Sequence, residues 1–282
     1  MRRRDAVAAL VRSAPATILG TGAAGGVYAF GYEPSALSLE RKTISLRRLP
    51  GDFHGMTIAL LTDLHVGPFT RASFVAKACR LAMDAKPDLV VLGGDYVHRS
   101  PRYFEPCVEA LADLRAPLGV FAVTGNHDHW EGIDAGMRAF HDAPIAFLRN
   151  GAKPIERGAC RLWISGVDDL MTRNADPIAA LGPIPAGECA VLVSHNPDLA
   201  EMLDPQKPVD LVLSGHTHGG QVNIPLLGSP VVPSRYGQKY AGGLVENPAN
   251  KVYVSRGVGT ISPPVRFRCA PEVSLLTLEA AG

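Results

Sequence analysis

The chain of 282 residues lacks most of the features that define specialised protein classes. Its five cysteines are scattered and form no CxxC pair, which disfavours a disulfide framework or a cysteine-based zinc site, so we expect reduced thiols in the core. It has no low-complexity tract and no repeat of solenoid or propeller period. Aromatic residues make up only 6% of the chain and are not interleaved with basic residues. A protein that binds single-stranded nucleic acid combines the two, so this class is disfavoured.

Net charge is also small, at +1, but it is unevenly distributed. The first fifty residues hold eight Lys and Arg against three Asp and Glu, so the remainder of the chain is net acidic. An acidic body disfavours a protein that grips the phosphate backbone of long nucleic acids. We therefore expect no nucleic-acid partner.

The N-terminus has the order of a targeting segment. Arg2, Arg3 and Arg4 precede a weakly apolar stretch from Ser13 to Phe30, so we interpret residues 1–36 as a signal-like or membrane-anchor segment. The body would then lie in the cell envelope, exported or associated with the inner membrane. A helical or disordered extension of a cytoplasmic protein is the alternative.

Polar side chains follow five short apolar runs that have the length and boundaries of buried strands. The runs cover residues 58–61, 89–92, 120–123, 191–193 and 211–213. Open α/β sheets bind ligands beyond the carboxyl ends of their strands. The residues following these runs therefore predict one converged site, with candidate metal ligands Asp63, His65, Asp95, Asn126, His195, His216 and His218.

The remaining pattern predicts an α/β fold. An edge strand is expected within residues 37–49, and helices are expected over 70–86, with Thr70 as N-cap, 102–115 and 132–142. After Arg149 the strands become shorter and more closely spaced. This mixture indicates two sheets stacked face to face with helices outside, and no linker separates the halves, so residues 37–282 are expected to form a single domain.

The candidate ligands are three oxygen donors and four imidazoles. Seven donors are too many for one tetrahedral ion and suit two ions that share a bridging carboxylate. Paired cations about 3.5–4 Å apart can clamp the attacking and leaving oxygens of a phosphoryl transfer. The same nitrogen and oxygen donors accept Mn, Zn, Fe or Mg.

These motifs, in this order over residues 56–218, resemble those of the calcineurin-like metallophosphoesterases. The resemblance implies a four-layer α/β/β/α sandwich around two divalent metal ions. It implies that the first metal is bound by Asp63, His65 and His218, that Asp95 bridges, and that the second is bound by Asn126, His195 and His216. It further implies that His127 faces the substrate as proton donor or charge stabiliser and that Asp128 orients His127.

Three later stretches, residues 218–221, 253–257 and 264–267, are similar to an exported or membrane-associated bacterial branch that includes some UDP-2,3-diacylglucosamine pyrophosphohydrolases. The expected function is hydrolysis of a phosphodiester, pyrophosphate or phosphomonoester bond by in-line attack of a metal-bridging hydroxide. By analogy with the branch, the substrate would be lipid-linked. The alternatives are a non-catalytic metal-binding scaffold of the same fold and, third, a nuclease. The sequence does not fix the oligomeric state.

Several residues outside the motifs carry weaker expectations. The other histidines are interpreted as surface or loop residues, with one of them, His129, expected nearest the site: His54, His98, His129 and His141. Trp130 is assigned to the core or the rim. Arg256 and Arg266 contact either a phosphate or structural carboxylates. The segment Pro225 to Gly243 is either a lid or a long surface loop.

Overall fold

The computed structural model describes residues 25–207 and 209–281, which form two six-stranded sheets. The first sheet has the spatial order β1 (Ser38–Leu46), β12 (Glu272–Ala280), β2 (Thr57–Leu61), β3 (Leu89–Leu92), β4 (Val120–Ala122) and β5 (Ala146–Phe147). The second has the order β10 (Gly243–Glu246), β11 (Lys251–Val254), β9 (Leu211–Ser214), β8 (Ala190–Val193), β7 (Cys160–Gly166) and β6 (Gly151–Arg157).

The two sheets stack face to face between outer helices. Helices α1 (Ala72–Asp84), α2 (Phe104–Leu111) and α3 (Asn126–Ala139) cover the first sheet, while α4 (Pro177–Leu181) and short 3-10 turns cover the second. Side chains alternate between the two faces of a strand, so each sheet can pack on both sides. Along β2, Ile58 and Leu60 pack between the sheets, whereas Ala59 and Leu61 pack toward the helices. The expected single-domain α/β/β/α sandwich is confirmed.

Parallel pairing places the carboxyl ends of the strands that precede the candidate ligands at a common edge of each sheet. β2, β3, β4 and β5 run parallel in the first sheet, and β7, β8, β9 and β11 run parallel in the second. All five predicted apolar runs are strands. Their carboxyl ends face a shared space at one edge of the stacked sheets.

The helix boundaries differ from the sequence prediction for local reasons. Thr70 does not cap α1, because Arg71 is the N-cap residue and the Thr70 hydroxyl accepts the amide of Thr260. α2 is shorter than predicted and follows a 3-10 turn at Pro101–Tyr103. α3 begins six residues earlier than predicted, at Asn126, and Gly132 (φ +117°) kinks it.

Residues 1–24 of the predicted N-terminal segment lie outside the described residues, whereas its later part packs on the body. The carbonyl of Ala29 accepts the amide of Arg266 at 2.9 Å. The carboxylate of Glu33 is buried and accepts the amides of Arg268, at 2.8 Å, and Cys269. Among the described helices, none is long and apolar enough to cross a membrane.

The cysteines are as expected. All five lie within the described residues and are free, and four of them are buried: Cys79, Cys107, Cys189 and Cys269. They act as small apolar residues in the packing, as shown by Cys79 and Cys107, which belong to the buried cluster between the helices and the first sheet.

Candidate metal centre

Five segments of the chain meet beyond the carboxyl ends of β2, β3, β4, β8 and β9 and form the floor of a cavity. The structure brings all seven candidate ligands to this floor and buries every one of them: Asp63, His65, Asp95, Asn126, His195, His216 and His218. Buried carboxylates and imidazoles are uncommon without a compensating partner, so this arrangement itself requires an explanation.

One group of donors lies where β2 and β9 end. The donor atoms of Asp63, His65 and His218 all lie within 4.8 Å of one another. The Nε2 atoms of His65 and His218 are 3.0 Å apart. Asp63 Oδ1 lies 3.4 Å from Nε2 of His218 and 3.8 Å from Nε2 of His65. Donors that sit about 2 Å from a shared cation are separated by about this much. This group therefore has the size of a cation site.

A second group lies where β3, β8 and β9 end. The donor atoms of Asp95, His195 and His216 also lie within 4.8 Å of one another. The Nδ1 atom of His195 lies 2.8 Å from the carbonyl of Gly93, a contact that turns Nε2 toward Asp95 Oδ2 at 3.1 Å. A backbone carbonyl that fixes one ring nitrogen and frees the other is the usual support of a metal-ligating histidine.

Asp95 stands between the two groups. Its Oδ2 atom is 3.5 Å from Nε2 of His65 in the first group and 3.1 Å from Nε2 of His195 in the second. Beside it, Oδ1 of Asn126 is buried and has no hydrogen-bond partner among the described residues. A buried amide oxygen without a hydrogen-bond donor has the chemistry of a cation ligand.

The protonation preferences of these groups fit cation binding. Burial lowers the pKa of His65 and His218 well below the ordinary imidazole value, and burial with the nearby His195 lowers the pKa of His216 to about 4. These imidazoles are neutral at pH 7, with lone pairs available to a metal.

The Asp95 and His195 pair behaves differently. Burial opposes ionisation of Asp95, but His195 and His65 outweigh it and hold the pKa of Asp95 well below its usual range. Burial alone would lower the pKa of His195, yet Asp95 raises it to about 10. A cation bound at this pair would therefore compete with a proton on His195.

Close backbone approach explains the glycines in the motifs. Asp63 accepts hydrogen bonds from the Thr62 hydroxyl and from the His216 amide, the latter at 3.0 and 3.1 Å. A Cβ atom at Gly215 would lie 2.2 Å from Asp63 Oδ2, and one at Gly125 would lie 2.3 Å from Asp95 Oδ1. Only glycine lets these two loops approach the carboxylates so closely.

The ligand loops have an unusual backbone. Five of the seven candidate ligands have positive φ angles between 46° and 69°: Asp63, His65, Asp95, His216 and His218. Asp63 and His65 therefore do not lie on an extended chain, and His216 and His218 do not lie on a strand. Both pairs converge through left-handed turns instead.

His127 and Asp128 form the first turn of α3. The amide of His127 donates to Asp95 Oδ1 at 2.8 Å, and the partly exposed His127 ring faces the cavity. The Asp128 carboxylate accepts the amides of Asp95, Tyr96 and Gly125 at 2.8–2.9 Å. Asp128 thereby fastens the Asp95 loop to the start of α3, and it acts on His127 through the backbone.

His98, expected at the surface or in a loop, is one of the ring neighbours of His127. It lies in a loop, but it is buried rather than at the surface, and its Nδ1 lies 3.4 Å from Nδ1 of His127. Burial, with His127 nearby, lowers the pKa of His98 to about 4. The missed signal was its position three residues after Asp95, on the same loop.

The other histidines divide as follows. His54 and His141 are exposed, as expected. His129, expected nearest the site, instead binds Asp168 Oδ1 at 2.6 Å. Asp168 also accepts the Thr124 hydroxyl at 2.5 Å and a pair of bonds from Arg149. This network joins α3 to the loop after β7, beside the floor.

The two candidate phosphate-binding arginines have structural partners. Arg266 is fully buried and donates to the carbonyls of Arg256, Gly259 and Cys269 at 2.6–2.9 Å. Arg256 pairs with Glu40 at 2.8 Å and Glu272 at 2.7 Å. The carboxylate alternative therefore holds for Arg256, whereas Arg266 binds backbone carbonyls, which neither alternative foresaw.

The floor opens into a cavity of about 940 Å³. Trp130 lies at its rim and is 58% exposed. Residues 232–236 from the Pro225 to Gly243 segment form part of the wall, so this segment borders the site. Two exposed arginines, Arg173 and Arg235, supply positive charge at the opening.

Comparison with known proteins agrees with this geometry. Residues 56–220 match the calcineurin-like phosphoesterase family. The uncharacterized metallophosphoesterase YkuE of Bacillus subtilis is 31% identical over 91% of this chain and 91% of its own length. The phosphodiesterase YaeI of Escherichia coli is 34% identical over 78% of this chain and 81% of its own length.

Among solved structures, the NAD nucleotidase of Haemophilus influenzae superposes with a TM-score of 0.51 at 16% identity, over 72% of this chain and 45% of that one, a likeness of fold alone. Relatives from Danio rerio and Bos taurus are named transmembrane proteins with a metallophosphoesterase domain, and this chain covers 56% of each.

Proposed function

The chain belongs to the calcineurin-like phosphoesterases, which are hydrolases that use two divalent metals, and from that premise we propose how its own residues perform the reaction. The observation that carries the proposal is the convergence of seven buried donors on one floor, arranged as two groups with Asp95 between them. Asp63, His65 and His218 would hold one cation, and Asn126, His195 and His216 would hold the other. Asp95 would be shared between the two groups.

Two divalent cations at this floor would supply an acidified water as nucleophile and neutralise charge on the phosphoryl oxygens. His127 stands at the boundary between the floor and the open cavity and donates a proton to the leaving oxygen. Asp128 acts as a positioning residue, because it fixes the Asp95 loop and the first turn of α3 together. His98 steadies the His127 ring.

We propose a phosphodiester or pyrophosphate as the substrate class. The cavity extends well beyond a single phosphate, which supports a substrate with groups on both sides of phosphorus. The relative from Escherichia coli is named a phosphodiesterase. A lipid-linked substrate is consistent with the apolar rim around Trp130 and with the resemblance to the membrane-associated branch.

The proposed location is the cell envelope. Its supports are the arginine-then-apolar order of residues 1–30 and the naming of some relatives as transmembrane proteins. Residues 1–36 serve in this proposal as the signal or anchor and residues 37–282 as the catalytic domain. The contacts of Ala29 and Glu33 with the body add that the end of this segment stays docked on the domain.

Elemental analysis of the purified full-length protein, followed by a phosphoester panel, tests the proposal. We expect about two divalent ions per chain. We also expect hydrolysis of bis-p-nitrophenyl phosphate in preference to p-nitrophenyl phosphate, with UDP-diacylglucosamine as the lipid-linked member of the panel. One ion per chain would refute the paired site, and preference for the monoester would refute the substrate class.

A further inference from the structure

The large apolar side chains that are exposed among the described residues are concentrated in one region. They lie at three places: four at the N-terminal segment (Val27, Tyr28, Phe30 and Tyr32), three on the Pro225 to Gly243 loop (Leu226, Leu227 and Val231) and four at the cavity opening (Trp130, Met171, Met202 and Tyr236). Only Ile178 of this set lies elsewhere. Scattered exposed apolar residues are ordinary, but a connected group marks an interaction surface.

The loop residues connect directly to the cavity opening. Leu226 and Leu227 form the tip of a tight turn closed by the Ile224 amide and the Gly228 carbonyl at 2.8 Å. Leu226 is fully exposed and Leu227 is 77% exposed. From Val231 the chain passes into the cavity wall at residues 232–236. The tip and the opening are therefore two ends of one short segment.

The N-terminal residues adjoin the base of the same turn. Phe267 lies between them, because its carbonyl accepts the Asn223 amide at 2.8 Å and its ring meets the edge of the Tyr28 ring at 6.1 Å. The Ala29 carbonyl is held by the neighbouring Arg266 amide. We call the eleven exposed residues at these three places the apolar band.

The fold presents the apolar band rather than folding it inward. The Ser229 hydroxyl donates to the Gly219 carbonyl at 2.7 Å. The Ser229 amide donates to Gln238 Oε1 at 3.2 Å, and the Ser229 carbonyl accepts from Gln238 Nε2. Asp198 accepts the Ser234 hydroxyl at 2.5 Å and the Arg235 amide at 2.9 Å. A loop fixed by these bonds holds its leucines in water at a free-energy cost that binding would remove.

We propose that the apolar band docks on an anionic phospholipid bilayer, with the opening of the metal cavity against the lipid surface. Tryptophan, tyrosine and phenylalanine beside leucine and arginine are the composition of membrane-interfacial surfaces. Arg235 and Arg173 at the opening and Arg268 beside Phe267 are exposed and suited to anionic headgroups. The inference extends the proposed envelope location and substrate class, but docking itself is independent of hydrolysis.

Flotation of the full-length protein with vesicles tests the band. The vesicles contain phosphatidylcholine alone or phosphatidylcholine with phosphatidylglycerol. We expect binding that is stronger with phosphatidylglycerol, and the double variant Leu226→Ser with Leu227→Ser should weaken it about tenfold, since two leucines lose their burial. The matched control, Ile178→Ser, removes an exposed apolar residue outside the band and should bind as wild type. Absence of wild-type binding to either vesicle would overturn the proposal.

Tryptophan fluorescence separates docking of the band from attachment through residues 1–24 alone. The chain has two tryptophans, of which Trp130 is 58% exposed at the opening and Trp163 is 8% exposed in the core. Docking should shift the emission to the blue and make it quenchable by brominated lipid, and Trp130→Phe should abolish both effects. Vesicle binding without a Trp130 response, or with unchanged binding of the leucine variant, would overturn the proposal.

Turnover of bis-p-nitrophenyl phosphate without vesicles keeps this test apart from the proposed function. The leucine variant should hydrolyse this soluble diester at the wild-type rate, because neither leucine contacts the floor. If the wild type fails to hydrolyse it but still docks, the catalytic proposal fails and the docking proposal stands. If hydrolysis proceeds and docking fails, the reverse holds.

Discussion

The floor of the cavity and its opening are built on opposite physical principles. The floor is buried and polar, and its side chains are held by turns directly after five strands. The opening is exposed and largely apolar, and loops supply it. In the function proposed above, the floor carries out the attack on phosphorus, and the opening selects the phosphoester that reaches it. Changes on the floor should therefore act on every substrate, and changes at the opening should act selectively.

Asp95→Asn should have the largest effect. An amide cannot supply two anionic oxygens, so we expect both ions to be lost together and turnover of all substrates to fall to background. Metal content by elemental analysis is the measurement, with Asp84→Asn at the end of α1 as a surface control. Retention of two ions per chain would show that Asp95 does not bridge.

His127→Ala should be the next largest effect. Loss of a proton donor typically lowers turnover about 10²- to 10⁴-fold, and metal content should stay normal because His127 is not proposed as a ligand. Diesters with poor leaving groups, such as alkyl esters, should suffer more than p-nitrophenyl esters. An equal loss for both kinds of leaving group would contradict the proton-donor role.

His98→Ala should act through His127. We expect turnover to fall about tenfold with unchanged metal content, because the His127 ring loses one of its three ring neighbours. The double variant with His127→Ala should then be no slower than His127→Ala alone, and exposed His141→Ala is the control. Multiplicative losses in the double variant would show that His98 acts independently of His127.

At the opening, Arg173→Gln with Arg235→Gln should leave the floor intact. KM for anionic diesters should rise several-fold while kcat and metal content hold, since these side chains act on binding at the cavity opening. Steady-state kinetics with bis-p-nitrophenyl phosphate measure this split. A fall in kcat with unchanged KM would contradict the claim that the arginines at the opening act on substrate binding rather than on the reaction at the floor.

The smallest effect should come from the Asp168 network, which lies beside the floor, and it should be an effect on the free energy of unfolding. Burial opposes ionisation of Asp168, but Thr124, Arg149 and His129 outweigh it and lower its pKa to about 2 from a usual value of 3.8. The stabilisation is thus present above pH ~4 and is lost as pH falls toward ~2. Asp168→Asn should reduce the free energy of unfolding by about 1–2 kcal/mol at pH 7, and the difference should vanish in acid denaturant titrations. A difference that persists at pH ~2 would contradict the assigned cause.

The sequence was sufficient to predict the strand ends and the convergence of the seven candidate ligands, because both signals are local: short apolar runs, each followed directly by Asp, Asn or His. It was insufficient for His98, whose burial depends on α3 packing against a distant loop. It also could not indicate that Arg266 donates to backbone carbonyls, since that requires the folded course of residues 256–269. The same limit applies to Asp128, whose partners are backbone amides 32 and 33 residues away and one in its own turn.

The left-handed turns at five ligand positions have an evolutionary consequence. Each side chain there costs about 1 kcal/mol of backbone strain or more, a cost that glycine would largely avoid. A lineage released from catalysis would therefore gain thermal resilience by drifting to glycine at Asp63, His65, Asp95, His216 and His218. The presence of non-glycine residues at all five positions therefore agrees with a chemical role for these side chains.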